Sequence, residues 1–137
     1  MDVVRELFRE YAATVGSAIC FQAFERELAS LPGHYSVLLL ATEGSALAGC
    51  AAMRRLEGHI CEMKRLYVRP AFQGTGIGRR MVEKIIAEAR SGGYQLLRLD
   101  TLPAMERAIA LYRTLGFRPI PPYGDNPAEA LCFELSL

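Results

Sequence analysis

Apolar positions follow helical spacing in the first part of the chain. Over residues 2–14 apolar side chains recur every three or four positions with charges between them, which predicts an amphipathic helix. A second helix is predicted over 17–30, where Phe24 and Leu28 share one face. The Leu-Pro-Gly sequence at 31–33 ends this second pattern. Two helices are therefore expected before the first strand.

The pattern then changes to short apolar runs separated by turns. Strands are predicted over 37–41, 46–55 and 59–68, with glycine-containing turns between them. Because the connections are short, these three strands should form an antiparallel meander. Pro70 ends the third strand, since proline has no N–H to donate to a neighbouring strand.

The last part of the chain alternates helices and strands. A helix is predicted over 77–90, a strand over 95–100, a helix over 104–115, and strands over 117–120 and 131–137. The inward face of the first of these helices is expected to comprise Ile77, Met81, Ile85 and Ala89, with Val82 and Ile86 flanking it.

The predicted order is α-α-β-β-β-α-β-α-β-β, which is a mixed α/β (α+β) arrangement with about four helices and about six mostly antiparallel strands. The chain has 137 residues and shows no repeat or linker, so we expect one domain over 1–137.

Composition and charge narrow the range of possible partners and functions. A net charge of +1 gives no electrostatic reason to expect nucleic acid or an anionic membrane as a partner. The N-terminus lacks a signal-peptide pattern and no apolar run is long enough for a bilayer, so we expect a soluble cytoplasmic protein. The four cysteines show no zinc-ligand spacing and are expected to be small buried residues, so no metal is predicted.

The segment before the third helix has the composition of an anion-binding loop. Gly74, Gly76 and Gly78 allow positive φ and close approach of a ligand to the backbone. The loop opens a helix, whose unpaired N–H groups and dipole favour a phosphate. Arg79 and Arg80 oppose that dipole in the first turn unless an anion is bound there.

The glycine spacing excludes two common nucleotide motifs. No Gly-Lys-Ser/Thr follows, so the loop is not a Walker A motif. Arg79 stands where a dinucleotide-binding loop has its last glycine, and the preceding strand ends an antiparallel meander in mid-chain. The loop alone leaves a phosphate site and a plain glycine-rich helix start equally open.

The surrounding segments resemble the GNAT superfamily of N-acetyltransferases. Residues 64–70 (KRLYVRP) look like its central strand, and 73–79 (QGTGIGR) match its pyrophosphate loop. Residues 108–117 (AIALYRTLGF) match the helix before the last hairpin. The resemblance extends over nearly the whole chain. It departs in two places: the usual first edge strand is expected to be missing, and Met105 replaces an asparagine that contacts pantetheine in many members.

The resemblance implies an acetyl-CoA-dependent N-acetyltransferase that acts by direct attack in a ternary complex. It places the pantetheine arm along the central strand and the pyrophosphate at the loop, with the Val68 N–H directed at the thioester carbonyl. The residues implied in cofactor binding are Leu66, Tyr67, Val68, Gln73, Gly74, Thr75, Gly76, Ile77, Gly78 and Arg79.

Two catalytic roles are predicted from the same resemblance. Glu62 matches a carboxylate that removes the proton of the amine, and partial burial would raise its pKa; a surface glutamate paired with Lys64 or Arg65 is the alternative. Asp100 is the second candidate for the base. Tyr112 matches the general acid for the thiolate of coenzyme A, with a core aromatic as the alternative.

The acceptor side gives weaker signals. The loop 123–127 is expected to border the acceptor, a primary amine of a small molecule or peptide. His34 and His59 are expected to be exposed, and Arg54 and Arg55 fit either a solvated edge or an acidic-substrate contact. A sensor that binds acyl-CoA without turnover remains the alternative function, and acetylation of charged tRNA is disfavoured by the charge. A missing first strand would leave a sheet edge that a second copy of the chain covers.

Overall fold

The computed structural model describes residues 1–16 and 21–137. The helices are α1 (Asp2–Val15), α2 (Phe21–Ser30), α3 (Ile77–Ser91) and α4 (Glu106–Thr114). The strands are β1 (Tyr35–Glu43), β2 (Ala46–Glu57), β3 (Ile60–Val68), β4 (Leu96–Thr101), β5 (Arg118–Ile120) and β6 (Leu131–Ser136). This order confirms the predicted fold; the start of the predicted second helix, 17–20, lies outside the described residues.

The six strands form one sheet in the order β1-β2-β3-β4-β6-β5. The pairs β1–β2 and β2–β3 are antiparallel, as their short connections predicted. The pairs β4–β6 and β5–β6 are antiparallel as well. Only β3 and β4 run parallel. In the described part of the chain no strand precedes α1, so β1 forms one edge of the sheet.

Both faces of the sheet are covered by helices because β2 is apolar on both sides. Cys50 and Ala52 face α1 and α2, where Leu7, Phe8 and Leu28 are buried. Ala51 and Met53 face α3 and α4 on the opposite side. The predicted inward face of α3 is confirmed, since Ile77, Met81, Val82, Ile85, Ile86 and Ala89 are all buried. The candidate functional site lies where two strands of the sheet between these cores separate.

This separation lies between β3 and β4. Their parallel pairing covers only Ile60–Leu96, Cys61–Leu97 and Glu62–Arg98, after which the two strands separate. The side of β3 that faces β4 therefore has no strand partner from Met63 onward. A gap between two strands of one sheet leaves backbone N–H and C=O groups free to bind something else.

The three described cysteines confirm the expected burial. Cys50, Cys61 and Cys132 are buried free thiols, while Cys20 lies outside the described residues. Burial raises the pKa of Cys50 to about 12 and that of Cys61 to about 11. Both are therefore uncharged thiols at neutral pH and act as small core side chains.

Candidate functional site

A cavity of about 630 Å³, here called the groove, follows β3 and the start of α3. Eight of the ten residues predicted to bind the cofactor line it. These are Leu66, Tyr67, Val68, Gln73, Gly74, Gly76, Gly78 and Arg79. The other two do not: Ile77 is buried in the core, and the Thr75 hydroxyl donates to the Phe72 carbonyl at 2.5 Å. The opposite wall is the start of α4, from Ala104 to Leu111.

The glycine loop has the backbone conformation of an anion site. Gly74 and Gly76 have φ of 79° and 88°, and a Cβ placed at either would meet no atom within 4 Å. The space beside these two glycines is therefore open to a ligand rather than filled by the protein. Gly76 is the N-cap of α3 and supplies no side-chain hydrogen bond, so the first N–H groups of α3 point into the groove opening.

A β-bulge shapes β3 above this loop. Cys50 pairs with Tyr67 and Ala52 with Lys64, so β3 contains one more residue than β2 between these points. Arg65 lies in the bulge with φ of 60°, and it is the one non-glycine residue with positive φ in the described part of the chain. Such strain persists only where the surroundings hold it.

The side chain of Arg65 holds the bulge in this conformation. Its guanidinium donates to both carboxylate oxygens of Glu27 on α2, at 2.8 and 2.9 Å, and both side chains are nearly buried. It also lies 5.5 Å from the ring centroid of Tyr11 and 5.4 Å from that of Phe24. The bulge is thus fastened to both N-terminal helices. This role of Arg65 was not predicted from the sequence, where its one weak signal is Gly49 in β2: a Cβ there would lie 2.3 Å from the Tyr67 carbonyl oxygen.

Two further cavities continue from the groove. The smaller, here called the throat, is about 40 Å³ in the gap between β3 and β4, lined by Leu66, Asp100 and Tyr112 among others. The larger, here called the side cavity, is about 260 Å³ and includes Lys64, Asp100, Asp125 and Pro127 in its walls. Tyr11 and Met105 line all three spaces, which therefore share walls from the groove to the side cavity.

The predicted residues Asp100 and Tyr112 meet at the throat. Asp100 has a side chain 16% exposed, and its Oδ2 accepts a hydrogen bond from the Asn126 amide at 2.9 Å. Tyr112 is 4% exposed and packs against Phe117 and Phe133. Burial raises the pKa of Tyr112, and the nearby Tyr11 and Asp100 raise it further. The phenol therefore keeps its proton at neutral pH.

Glu62 lies elsewhere and in different surroundings from those expected. Its side chain is 2% exposed rather than partly buried, and the residues lining the three cavities do not include it. Its Oε1 accepts from the Arg54 guanidinium at 2.9 Å, and its Oε2 accepts from the Tyr123 hydroxyl at 2.6 Å. Both carboxylate oxygens are thus engaged. Arg54, for which two roles were open, is a partner of this buried carboxylate.

The loop before β6, predicted to border the acceptor, contributes Asp125 and Pro127 to the wall of the side cavity. It also contacts both candidate bases: Tyr123 reaches Glu62, and Asn126 reaches Asp100. Asn126 further accepts the Tyr123 backbone N–H at 2.8 Å, which closes the loop on itself. His34 and His59 are exposed, as expected, and lie outside the three cavities.

The open glycine loop, the strand gap and the apolar groove together suit a long ligand with a phosphate at one end. A profile of the Acetyltransferase (GNAT) family matches residues 1–117. The chain belongs to the GNAT family. It is an acetyl-CoA-dependent acyltransferase, and the acyl donor is acetyl-CoA.

Individual relatives and a solved structure of similar fold are consistent with this family assignment. It is 36% identical over 133 residues to an uncharacterised N-acetyltransferase of Schizosaccharomyces pombe, with 93% of this chain and 82% of that protein covered. It is 38% identical over 101 residues to an N-alpha-acetyltransferase of Mycobacterium tuberculosis, with 72% and 60% covered. A solved GNAT family acetyltransferase from Elizabethkingia anophelis with acetyl-CoA bound shares the fold, with TM-score 0.69, 21% identity, and 86% and 84% covered.

Two further structural observations concern metal binding and membrane spans. Within residues 1–16 and 21–137, no three His, Cys, Asp or Glu side chains are close enough together to hold a metal ion. Every helix in these same ranges falls short of the length and apolar character that a membrane span requires.

Proposed function

We propose that this GNAT acetyltransferase moves the acetyl group of acetyl-CoA to a primary amine of a small molecule or peptide, by direct attack in a ternary complex. The observation that carries the proposal is the shared wall of the three cavities. Tyr11 and Met105 line the groove, the throat and the side cavity, so a donor in the groove and an acceptor in the side cavity meet at the throat. No covalent enzyme intermediate is needed when both substrates meet in this way.

The groove residues fit the donor. The α3 N-terminus and the glycine loop hold the pyrophosphate, with Arg79 at the rim of the groove. The unpaired side of β3 takes the pantetheine arm at Leu66, Tyr67 and Val68, and the Val68 N–H is our candidate donor to the acetyl carbonyl. Bound acetyl-CoA supplies an acetyl group activated as a thioester.

Asp100 is our candidate for the base, in preference to Glu62. Asp100 lines both the throat and the side cavity, whereas Glu62 lines neither and has both oxygens bound. A base must be within hydrogen-bond reach of the proton it removes, directly or through one water. The Asn126 amide donates to Oδ2 of Asp100, so Oδ1 is available to bind the amine.

The reaction balances with these groups. Asp100 takes one proton from the ammonium, and the free amine nitrogen forms a bond to the acetyl carbonyl carbon. The carbon–sulfur bond then breaks, the sulfur keeps the electron pair, and the attacking nitrogen loses its second proton to solvent. Tyr112 donates a hydrogen bond to the departing thiolate from the throat. A thiol has a pKa of about 8.5 and that of Tyr112 is raised, so hydrogen bonding rather than complete proton transfer is expected.

Replacing Tyr112 by phenylalanine tests this role. We expect kcat to fall about 10- to 100-fold, the effect of one lost hydrogen bond to a charged group, with little change in acetyl-CoA affinity. Steady-state kinetics at saturating acetyl-CoA and calorimetry measure the two quantities. Phe117→Leu, which removes a ring that packs on Tyr112 without touching its hydroxyl, is the control for lost packing. A normal kcat in Tyr112→Phe would leave the residue as a core aromatic.

The activity itself is tested with acetyl-CoA and a panel of primary amines, scored by free thiol and by mass spectrometry of the acetylated product. Release of thiol with formation of an N-acetyl product supports the proposal. Tight acetyl-CoA binding with no thiol release for any amine would instead support a sensor. A single domain over 1–137, a cytoplasmic location and a homodimer through the β1 edge remain predictions; sedimentation at several protein concentrations tests the dimer.

A further inference from the structure

Among the described residues, the Lys64 ammonium has an ion-pair partner but no hydrogen-bond partner. Its side chain is 21% exposed and lines both the throat and the side cavity. The nearest acidic atom is Asp100 Oδ1, at 3.8 Å from Nζ, beyond the ordinary hydrogen-bond range of about 2.7–3.2 Å. Among the described residues the Lys64 ammonium makes no hydrogen bond, although it has three N–H groups to donate.

Two charged neighbours of Lys64 have hydrogen-bond partners of their own. Arg65, the other cation in the side cavity, is held by both oxygens of Glu27. Asp100 receives its short contact from Asn126, at 2.9 Å, rather than from Lys64. In the described part of the chain, Lys64 is thus the one cation lining the throat or the side cavity whose donors are free. A partly buried ammonium with free donors is a binding site for an anionic group of a ligand.

The anion belongs on the acceptor rather than on acetyl-CoA. The phosphate end of the donor is expected at Gly74–Arg79, at the far end of the groove, and Lys64 does not line the groove. The donor reaches the throat with its acetyl group, which is uncharged. The molecule in the side cavity therefore has to supply the negative charge.

We propose that the acceptor is a free α-amino acid with an apolar side chain. Its ammonium would bind Asp100 Oδ1 and its carboxylate Lys64, each at about 2.7–2.9 Å. The amine nitrogen and carboxylate oxygen of an α-amino acid lie about 3 Å apart from standard bond lengths. Because Lys64 Nζ and Asp100 Oδ1 lie 3.8 Å apart, the two groups of one amino acid can reach both side chains. The inference rests on the proposed function, because it assumes that the side cavity holds the amine.

The remaining walls fit the side chain. Part of the side cavity wall beyond Lys64 and Asp100 is apolar and can take the side chain, namely Val15, Phe24, Leu102, Met105, Pro127 and Ala130. Its other charged residues are Arg65, Glu27 and Asp125. The volume of about 260 Å³ holds one amino acid but not a folded protein segment. A peptide N-terminus is disfavoured for a chemical reason: its first carbonyl is an uncharged amide and offers Lys64 no negative charge.

Leucine and two analogues test the inference. The analogues are leucinamide, which has an uncharged carbonyl like a peptide, and 3-methylbutylamine, which lacks the carboxylate altogether. We expect the wild-type kcat/KM for L-leucine to exceed that for either analogue at least 10-fold. In Lys64→Gln we expect the ratio of leucine to 3-methylbutylamine to fall at least 10-fold. Lys64→Arg keeps the cation and should retain most of the ratio. L-Phenylalanine and phenethylamine form a second matched pair.

Lys84→Gln is the control, because Lys84 lies exposed on α3, outside the residues that line the three cavities, and pairs with Glu88 at 3.5 Å. Its ratio should equal that of the wild type. Equal kcat/KM for leucine and its analogues, or a ratio unchanged in folded Lys64→Gln, would overturn the inference and leave the acetyltransferase proposal intact. If leucinamide were the best substrate, a peptide N-terminus would replace the free amino acid. Absence of thiol release with every amine would instead defeat the proposed function itself.

Discussion

Replacing Gly76 by valine is expected to weaken acetyl-CoA binding at least about 100-fold while the protein still folds. Gly76 has φ of 88° and ψ of 0°, a conformation that a β-branched residue avoids. Valine would shift the loop and turn the first N–H groups of α3 away from the pyrophosphate. The loss of two hydrogen bonds to a charged group, at about 1.5 kcal/mol each, corresponds to about 100-fold in Kd.

The opposite end of the same helix provides a matched control. Gly93 has φ of 81°, and a Cβ there would also meet no atom within 4 Å. Gly93→Val therefore brings a similar backbone penalty, about 1–2 kcal/mol, without touching the groove. Calorimetry with acetyl-CoA and thermal unfolding of both variants separate binding from stability. Equal weakening of acetyl-CoA binding by the two substitutions would mean that the glycine loop has no special part in it.

The cofactor half of the site could be predicted because its signals are local in sequence. The three glycines, the helix that follows them and the strand before them are contiguous, and local backbone rules describe them. The same holds for α3, whose buried face follows from helical spacing alone. The strand order does not follow from such local rules, because the parallel pairing of β3 and β4 brings together residues 36 positions apart, such as Ile60 and Leu96.

The side cavity, our proposed acceptor site, could not be predicted in the same way because long-range contacts determine it. Tyr11 occupies an ordinary apolar position of α1 in the sequence, yet it lines all three cavities. The pairs Arg65–Glu27 and Tyr123–Glu62 join residues 38 and 61 positions apart. A charge pattern along one chain does not reveal which carboxylate will be covered by a distant tyrosine. This is why Glu62 was expected to face the reaction.

The two carboxylates are therefore expected to respond differently to loss of their charge. In Asp100→Asn we expect kcat/KM for the amine to fall about 10²- to 10⁴-fold, the range for a lost general base, with a nearly unchanged Tm. In Glu62→Gln we expect a smaller kinetic effect and a clear loss of stability. The substitution leaves the Arg54 guanidinium without its counter-charge and weakens the anchor of Tyr123.

The stability loss in Glu62→Gln should be about 2 kcal/mol. Breaking a fully buried pair costs about 3–5 kcal/mol, and the Arg54 side chain is 31% exposed, so water offsets part of the loss. Because Tyr123 anchors the loop that borders the side cavity, the KM for the amine should rise more than kcat falls. Thermal unfolding and steady-state kinetics on the same preparations test both expectations.

The pH profile separates a base from a residue that only shapes the site. An amine loses its proton without help once the pH exceeds its own pKa, which is about 8 for a peptide α-amine and higher for a free amino acid, because the adjacent carboxylate stabilises the ammonium. The kcat/KM of Asp100→Asn should therefore keep rising with pH up to that value and recover part of the deficit seen at pH 7. Glu62→Gln should follow the wild-type profile at a constant reduction. The reverse result, with high pH rescuing Glu62→Gln and not Asp100→Asn, would return the base to Glu62. That result would also require the Tyr123 hydroxyl to move away from Glu62 when the amine binds, because this hydroxyl donates a hydrogen bond to Glu62 Oε2 at 2.6 Å.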